Sequence, residues 1–586
     1  MAYGRSRSND AKAEPLTTVR RSQMITTYGI GSLIPVEQES FIVLGQDSWP
    51  QKWLSDKEDG YFKNEIISDR FSKALGVQNL FVPPSDPFNK LPVRRFPLLY
   101  LCSTCNRLDY WSNLAAEKIA GKPTNICKHC SDESAILRPS RFVAVCPDGH
   151  IQDFPYFSWV HRGEEAHCDP SKNKLRIFSE SSDDSLRGLI VRCSCGASRS
   201  MEGALGRTKI GKCQGKYPWL NKPAEGCGRD LIGLQRGATS VWQSIVESSI
   251  TVPEVCSSDP IQQFVDENIG LLQRLDDDLD DFLSMKAIKN GFDLDNLTSK
   301  VNKALNREGG AALAELRDLE YEALQGEFPD DGETNEFLCY PQNVASEIRN
   351  SCNISGVSSV PRLREIRALT GFFRVEQSKD DSRKPARLLS SRPENWLPAI
   401  EAWGEGIFIR LDEEMLADWE QQEWPKLRLS RIQSASGTAL SGIATVRQIL
   451  LHSLSHVLIN QLALQAGYTA SSIRERIYAN PGQSGVLLYT AGTDSAGSLG
   501  GLAALGTPKK VQSILMGALE TARWCTADPV CIESGVRGLD SLNLAACHYC
   551  MFVPEVSCEH NNVLLDRALL IGTPDDPEMG FFSGLF

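Results

Sequence analysis

Cysteine is the residue whose spacing in this sequence could do chemistry. Eighteen cysteines occur in 586 residues, and most fall into close sets. Cys102-x2-Cys105 precedes Cys127-x2-Cys130. Each pair forms a knuckle that turns two thiolates toward one ion, and two knuckles close a tetrahedron of the zinc-ribbon type. Cys193 and Cys195, with Cys213 and Cys227, read as a second, less regular four-thiolate set. Cys531, Cys547, Cys550 and Cys558 read as a third, with Cys525 as a spare ligand. A further candidate joins Cys146 and His150 of the turn CPDGH to the neighbours His167 and Cys168; the competing reading is a turn in which His150 bonds backbone. The expected load is about three structural Zn2+ ions, because closed thiolate sites leave no open position for catalysis. Cys256, Cys339 and Cys352 stand alone and read as small buried hydrophobes.

Other spacings offer less. Gly206 to Lys212 mimics a phosphate-binding loop, but Cys213 follows where a Ser or Thr should hold magnesium. His452 and His456 sit four apart on an expected helix without the glutamate of a zinc protease. Packed or capping histidines are the preferred reading. The alternative is a metal-dependent nuclease or nucleotide-processing enzyme built on His452, His456 and Asp494. The glycine-rich run at 491–502 could cradle phosphate, although a tight turn serves as well. No nucleophile elbow or dinucleotide fingerprint occurs, and nothing in the residues demands catalysis.

The elements that must position these residues imply a multi-domain α+β chain. Residues 1–15 read as a disordered tail, 16–95 as an N-terminal domain and 96–236 as a cysteine-rich zinc-binding region with zinc-ribbon-like segments. Residues 237–360 read as a helical acidic region, and 361–586 as a C-terminal α+β domain. Ten cysteines crowd into 96–236, as expected where metal replaces a large apolar core. Apolar residues from Phe264 to Leu283 recur at three- and four-residue steps, the mark of an amphipathic helix. Thr445–Ala466 is expected as a long apolar helix, with Ile407–Leu411 and Val486–Tyr489 as strands.

Charge is uneven. The net of −12 conceals 21 acidic and 7 basic residues from Glu254 to Glu336, against 9 basic and 3 acidic from Arg192 to Arg236. The basic stretch could touch phosphates through Arg207, Lys209, Lys212 and Lys216. Arg364, Arg367 and Arg374, near Phe372 and Phe373, are further candidate nucleic-acid contacts, with ordinary surface arginines beside a buried Phe pair as the plainer reading. No apolar run approaches the ~20 residues of a membrane span, and the polar N-terminus lacks a signal-peptide core. A cytoplasmic protein without membrane contact is expected.

Five segments carry a resemblance. RRSQMITTYGIGSLI (20–34), CPDGHIQDFP (146–155), LHSLSHVLI (451–459), LLYTAGTDSAGSLGGL (487–502) and DPVCIESGVRGLDSLNLAACHYCMFVPEVSCEHNN (528–562) together resemble the DrmB family. Its members partner the DrmA helicase in DISARM anti-phage systems. The tail is similar to the four-cysteine zinc-binding domain of MrfA-type superfamily 2 helicases. This implies a non-catalytic accessory subunit that forms a hetero-dimer with a DrmA-like helicase/ATPase and helps engage or gate DNA. It also implies Cys531, Cys547, Cys550 and Cys558 as the ligands of the tail. A pure assembly scaffold that never touches DNA is the third reading.

Overall fold

Two-residue alternation of buried and open positions builds the first sheets. In the strand Leu99–Cys102, Tyr100 and Cys102 turn inward while Leu99 and Leu101 stay partly open. The computed structural model describes residues 19–585 apart from 59–60, 85–89, 117–123, 132–133, 163–167, 170–173, 180–184, 207–208, 295, 331–335, 376–387, 437–443, 493–500, 534, 537–541 and most of 254–278 and 299–308. The expected N-terminal tail, Cys256, His167, Arg207 and Asp494 therefore lie outside the described residues.

The chain folds as two units. The first takes in Met1–Ile67, Val77–Glu247 and Arg367–Ile400; the second takes in Ser68–Gly76, Ser248–Ile366 and Glu401–Phe586. The stretches 16–95 (apart from Ser68–Gly76) and 96–236, read from the sequence as separate domains, thus belong to one unit.

In the first unit a six-stranded sheet has the order Ser198–Ser200, Leu189–Cys193, Leu175–Ser179, Arg107–Tyr110, Leu99–Cys102, Leu137–Pro139. A four-stranded sheet has the order Ile151–Asp153, Phe142–Val145, Asp230–Gln235, Lys209–Lys212. Phe142, Phe154, Trp159, Val191 and Met201 fill the core of this unit together with Cys146, Cys193 and Cys213. Ligand candidates thus sit at the ends of short strands, where the chain must turn.

In the second unit the helix α1, Gly309–Ala323, precedes the long helix α2, Val446–Ala466. Thr445 caps α2 by accepting from the Gln448 N–H at 3.0 Å, and Gly467 ends it in the left-handed region at φ +71°. These ends agree with the helix expected from the sequence. Strands β1, Ile473–Tyr478, and β2, Gly485–Thr490, pair antiparallel, and β2 pairs with Gly406–Arg410 on its other side. Helix α2 is apolar on nearly every face because Ile449, Leu450, Leu454, Leu458 and Leu462 pack into a core shared with Ile473, Val486 and Leu488. The helix α3, Pro508–Ala522, completes that core through Val511, Leu515 and Leu519. Mixed helix and sheet in both units is the α+β architecture expected from the sequence. Among the described residues no helix is long and apolar enough to cross a membrane.

Candidate metal centres

Among the described residues the fold gathers cysteine and histidine donors, with a glutamate in one set, at five places, each a set of four ligand atoms within 4.8 Å of one another. A tetrahedral ion with metal–sulfur bonds of about 2.3 Å needs sulfur atoms ~3.8 Å apart. The observed sulfur separations match that need.

Cys102, Cys105, Cys127 and Cys130 come together as the spacing predicts. Cys102 Sγ lies 3.7 Å from Cys130 Sγ, and Cys105 Sγ lies 3.9 Å from Cys127 Sγ. Backbone N–H groups of Thr104 and Cys105 donate to Cys102 Sγ at 3.4 and 3.5 Å. Asn106 follows the knuckle in the left-handed region at φ +58°.

The second set differs from the expectation. Cys213 and Cys227 gather with Cys146 and His150, not with Cys193 and Cys195. The hairpin between Phe142–Val145 and Ile151–Asp153 carries the CPDGH turn, and Phe142–Val145 pairs directly with Asp230–Gln235, just after Cys227. Strand pairing, which spacing along the chain does not reveal, therefore brings the turn to Cys213 and Cys227. His150 Nδ1 lies 3.2 Å from Cys146 Sγ.

Cys193 and Cys195 gather instead with Cys168 and His161. His161 ends the short helix Tyr156–Val160. Its Nδ1 donates to the Phe157 carbonyl at 2.8 Å, which turns Nε2 toward Cys195 Sγ at 3.2 Å. Cys168 Sγ is 3.6 Å from Cys193 Sγ. Sequence reasoning missed His161. Once Cys213 and Cys227 are assigned to the CPDGH turn, the remaining three cysteines lack a fourth donor, and a nearby histidine is the natural choice.

In the tail, Cys525 joins Cys531, Cys547 and Cys550, and Cys558 does not. Cys525 Sγ is 3.4 Å from Cys547 Sγ, and Cys531 Sγ is 3.8 Å from Cys550 Sγ. Asp528 fixes the turn by accepting from the Cys525 N–H at 2.7 Å and from the Ile532 N–H at 3.2 Å. Cys558 lies elsewhere, 3.1 Å from His452 Nε2, in a fifth set with His456 and Glu475.

Proton affinities within these sets are split. The N–H of Ala197, then His161, pull Cys195 down to about 6, while desolvation and the neighbouring Cys195 and Cys193 push Cys168 up to about 12. Cys550 and then Cys547 help pull Cys531 down to about 6, while Cys550 itself is driven far up. Crowded thiolates repel, so one ionises at its neighbours' expense. A divalent cation removes that conflict and lets all ionise together. The donors present fit zinc.

The arginines fare differently. Arg364, Arg367 and Arg374 are 7%, 4% and 0% exposed, so their reading as nucleic-acid contacts is corrected. Arg364 pairs with Glu336 and Glu401. Arg374 donates to the carbonyls of Gly149, Val241 and Gly31 and lies against the Trp219 and Phe372 rings. The plainer reading, surface arginines beside a buried Phe pair, is corrected with it, because all three arginines are buried and Phe373 is only half-buried. Lys212 and Lys216 are exposed; Lys212 Nζ sits 2.7 Å from Asp230. Lys209 begins a strand, so the glycine-flanked run before Cys213 includes sheet and not a strand-to-helix phosphate loop. Cys339 and Cys352 are both buried.

Thiolate knuckles at strand ends, with a long apolar helix backing the tail cysteines, define a metal-scaffolded α+β protein. A model described as the MrfA Zn-binding domain matches residues 454–551, and one described as a domain of unknown function (DUF8724) matches residues 20–243. Over 548 residues the chain is 33% identical to "DISARM protein DrmB" of Bacillus paralicheniformis, covering 86% of this chain and 92% of that protein. The chain belongs to the DrmB family.

Proposed function

We propose that this protein is a non-catalytic accessory subunit of a DISARM-type anti-phage defence complex in the bacterial cytoplasm. It binds a DrmA-like superfamily 2 helicase as a hetero-dimer and helps engage or gate DNA. The observation that carries this reading is the 33% identity to a DISARM protein DrmB across 86% of the chain. Closed, largely buried donor sets support a scaffold, because a catalytic zinc keeps one position open. Cys102, Cys105, Cys127 and Cys130 hold one zinc; Cys146, His150, Cys213 and Cys227 a second; His161, Cys168, Cys193 and Cys195 a third; and Cys525, Cys531, Cys547 and Cys550 a fourth. This raises the expected load from about three ions to at least four.

DNA contact is assigned to the basic face around Lys212 and Lys216, with Arg207 and Lys209 beside them in sequence. Phosphate contacts of this kind release counterions, so affinity should fall steeply with salt. The test mixes the purified chain with a DrmA-like helicase and measures co-elution and DNA affinity of the complex from low to high salt. Co-elution, with tighter DNA binding than helicase alone, is expected. Absence of both overturns the reading. If Lys212→Glu with Lys216→Glu leaves the complex's DNA affinity and salt slope unchanged, the pure scaffold replaces it.

A further inference from the structure

The fifth donor set is not needed for any of this, and it differs from the other four. His452, His456, Glu475 and Cys558 come from three separate segments: α2, β1 and the loop after residue 551. His452 and His456 are fully buried and Glu475 is 1% exposed. The match to the MrfA zinc-binding domain spans 454–551, so His452 and Cys558 fall outside it.

Each side chain is held with its donor atom pointing inward. His452 Nδ1 donates to the Leu564 carbonyl at 3.2 Å, and His456 Nδ1 donates to the Met551 carbonyl at 2.9 Å. A carbonyl can only accept, so both protons sit on Nδ1 and both Nε2 atoms are free to present a lone pair. Glu475 accepts from the Ser455 hydroxyl and from the Glu559 N–H at 2.9 Å. Cys558 Sγ accepts from the N–H groups of His560 and Asn562 at 3.3 and 3.2 Å. Those second contacts are what metal ligands ordinarily have.

The four donors face one another, and the hydrogen bonding among them, His452 with Cys558, leaves part of the set unsatisfied. His452 Nε2 is 3.1 Å from Cys558 Sγ and 3.2 Å from Glu475 Oε1. His456 Nε2 is 3.6 Å from Glu475 Oε2, too far for a hydrogen bond, and has no partner although it is buried. A buried polar atom left so is unfavourable. One divalent ion at the centre would engage all four and balance the two negative charges of Glu475 and Cys558.

We propose that His452, His456, Glu475 and Cys558 form a fifth, closed metal site for a zinc-type divalent ion, which ties α2 and β1 to the C-terminal loop. Two nitrogens, one oxygen and one sulfur make a donor set of intermediate softness, suited to zinc. Four protein ligands, three of them almost wholly buried and Cys558 half-buried, leave no open position for water or substrate, so the site is structural.

The test loads the full chain with Zn2+ under reducing conditions, removes excess ion and counts zinc per chain. Cys558→Ala is expected to carry one ion fewer than the native chain, and Glu475→Gln the same after a challenge with a chelator of intermediate strength. The native count in both variants overturns the proposal. If Cys558→Ala does not fold, Glu475→Gln decides, since it keeps the side-chain volume: one ion fewer supports the site and an unchanged count overturns it. Helicase and DNA binding play no part in this readout, so its failure is distinct from failure of the functional reading.

Discussion

The guanidinium of Arg476 on β1 meets the carboxylate of Glu320 on α1 in a two-point ion pair, with Nε–Oε2 at 2.5 Å and Nη2–Oε1 at 2.6 Å. Both side chains are almost wholly buried, at 2% and 1% exposure. Tyr478 and the Ile250 N–H donate to the same carboxylate, and Ser248 accepts from the guanidinium. Such a pair need not stabilise more than apolar residues would, but breaking it strands a charge. Glu320→Leu is expected to lower stability by about 3–5 kcal/mol, while Glu320→Leu with Arg476→Met costs less than the single change. Urea unfolding followed on a second-unit tryptophan such as Trp419 measures both.

Arg374 makes a different commitment. Its three donations go to Gly149, Val241 and Gly31, carbonyls far apart in sequence. Hydrogen bonds from a charged donor contribute roughly 1.5–3 kcal/mol each. Arg374→Met should therefore lower the melting temperature clearly, yet leave the DNA affinity of the folded fraction unchanged. A selective loss of DNA binding at full stability would restore Arg374 as a contact residue.

The grouping of ligands predicts which substitutions are redundant. Cys146→Ser and Cys213→Ser should each release the same zinc, and the double variant should release no more than either alone. Cys146→Ser with Cys193→Ser should release two. The same logic places Cys525→Ser with Cys547→Ser at one ion, and Cys525→Ser with Cys558→Ala at two. Zinc counted per chain after gel filtration checks all four pairs. Two ions lost from the Cys146–Cys213 pair would contradict the structure.

What the sequence could and could not reveal follows from how each site is built. Cys102, Cys105, Cys127 and Cys130 form two CxxC turns close together in the chain, so spacing alone predicts their meeting. Cys213 meets Cys146 because the strands that end just before them, Lys209–Lys212 and Phe142–Val145, pair with opposite edges of the same later strand, Asp230–Gln235, and a spacing rule reads the nearer Cys193 and Cys195 instead. Glu475 has no local signal: an acidic residue in a strand becomes inward-facing only once β1 lies against α2. Helix α2 was legible because its caps and apolar run agree. Arg364, Arg367 and Arg374 misled because exposure is a tertiary property, and a basic residue beside two phenylalanines reads alike whether buried or open.

Gly215 supplies the last prediction. It sits two residues after Cys213 at φ +68°, and its N–H donates to Cys213 Sγ at 3.3 Å. Its carbonyl accepts from the Glu225 N–H at 3.1 Å, closing the loop that returns the chain to Cys227. An added Cβ would lie 1.4 Å from the Glu225 carbonyl oxygen, so both the backbone conformation and the space demand glycine. Gly215→Ala must either open this loop or leave the left-handed region, and strain of about 1–3 kcal/mol is the ordinary scale for such a change. Spread onto metal binding, that weakens zinc at the Cys146–His150–Cys213–Cys227 site by roughly ten- to a hundredfold. Competition with a chromophoric chelator should show one ion leaving earlier while the rest keep their native order. Unchanged competition at every site would mean that this loop does not set the geometry of the Cys213 ligand.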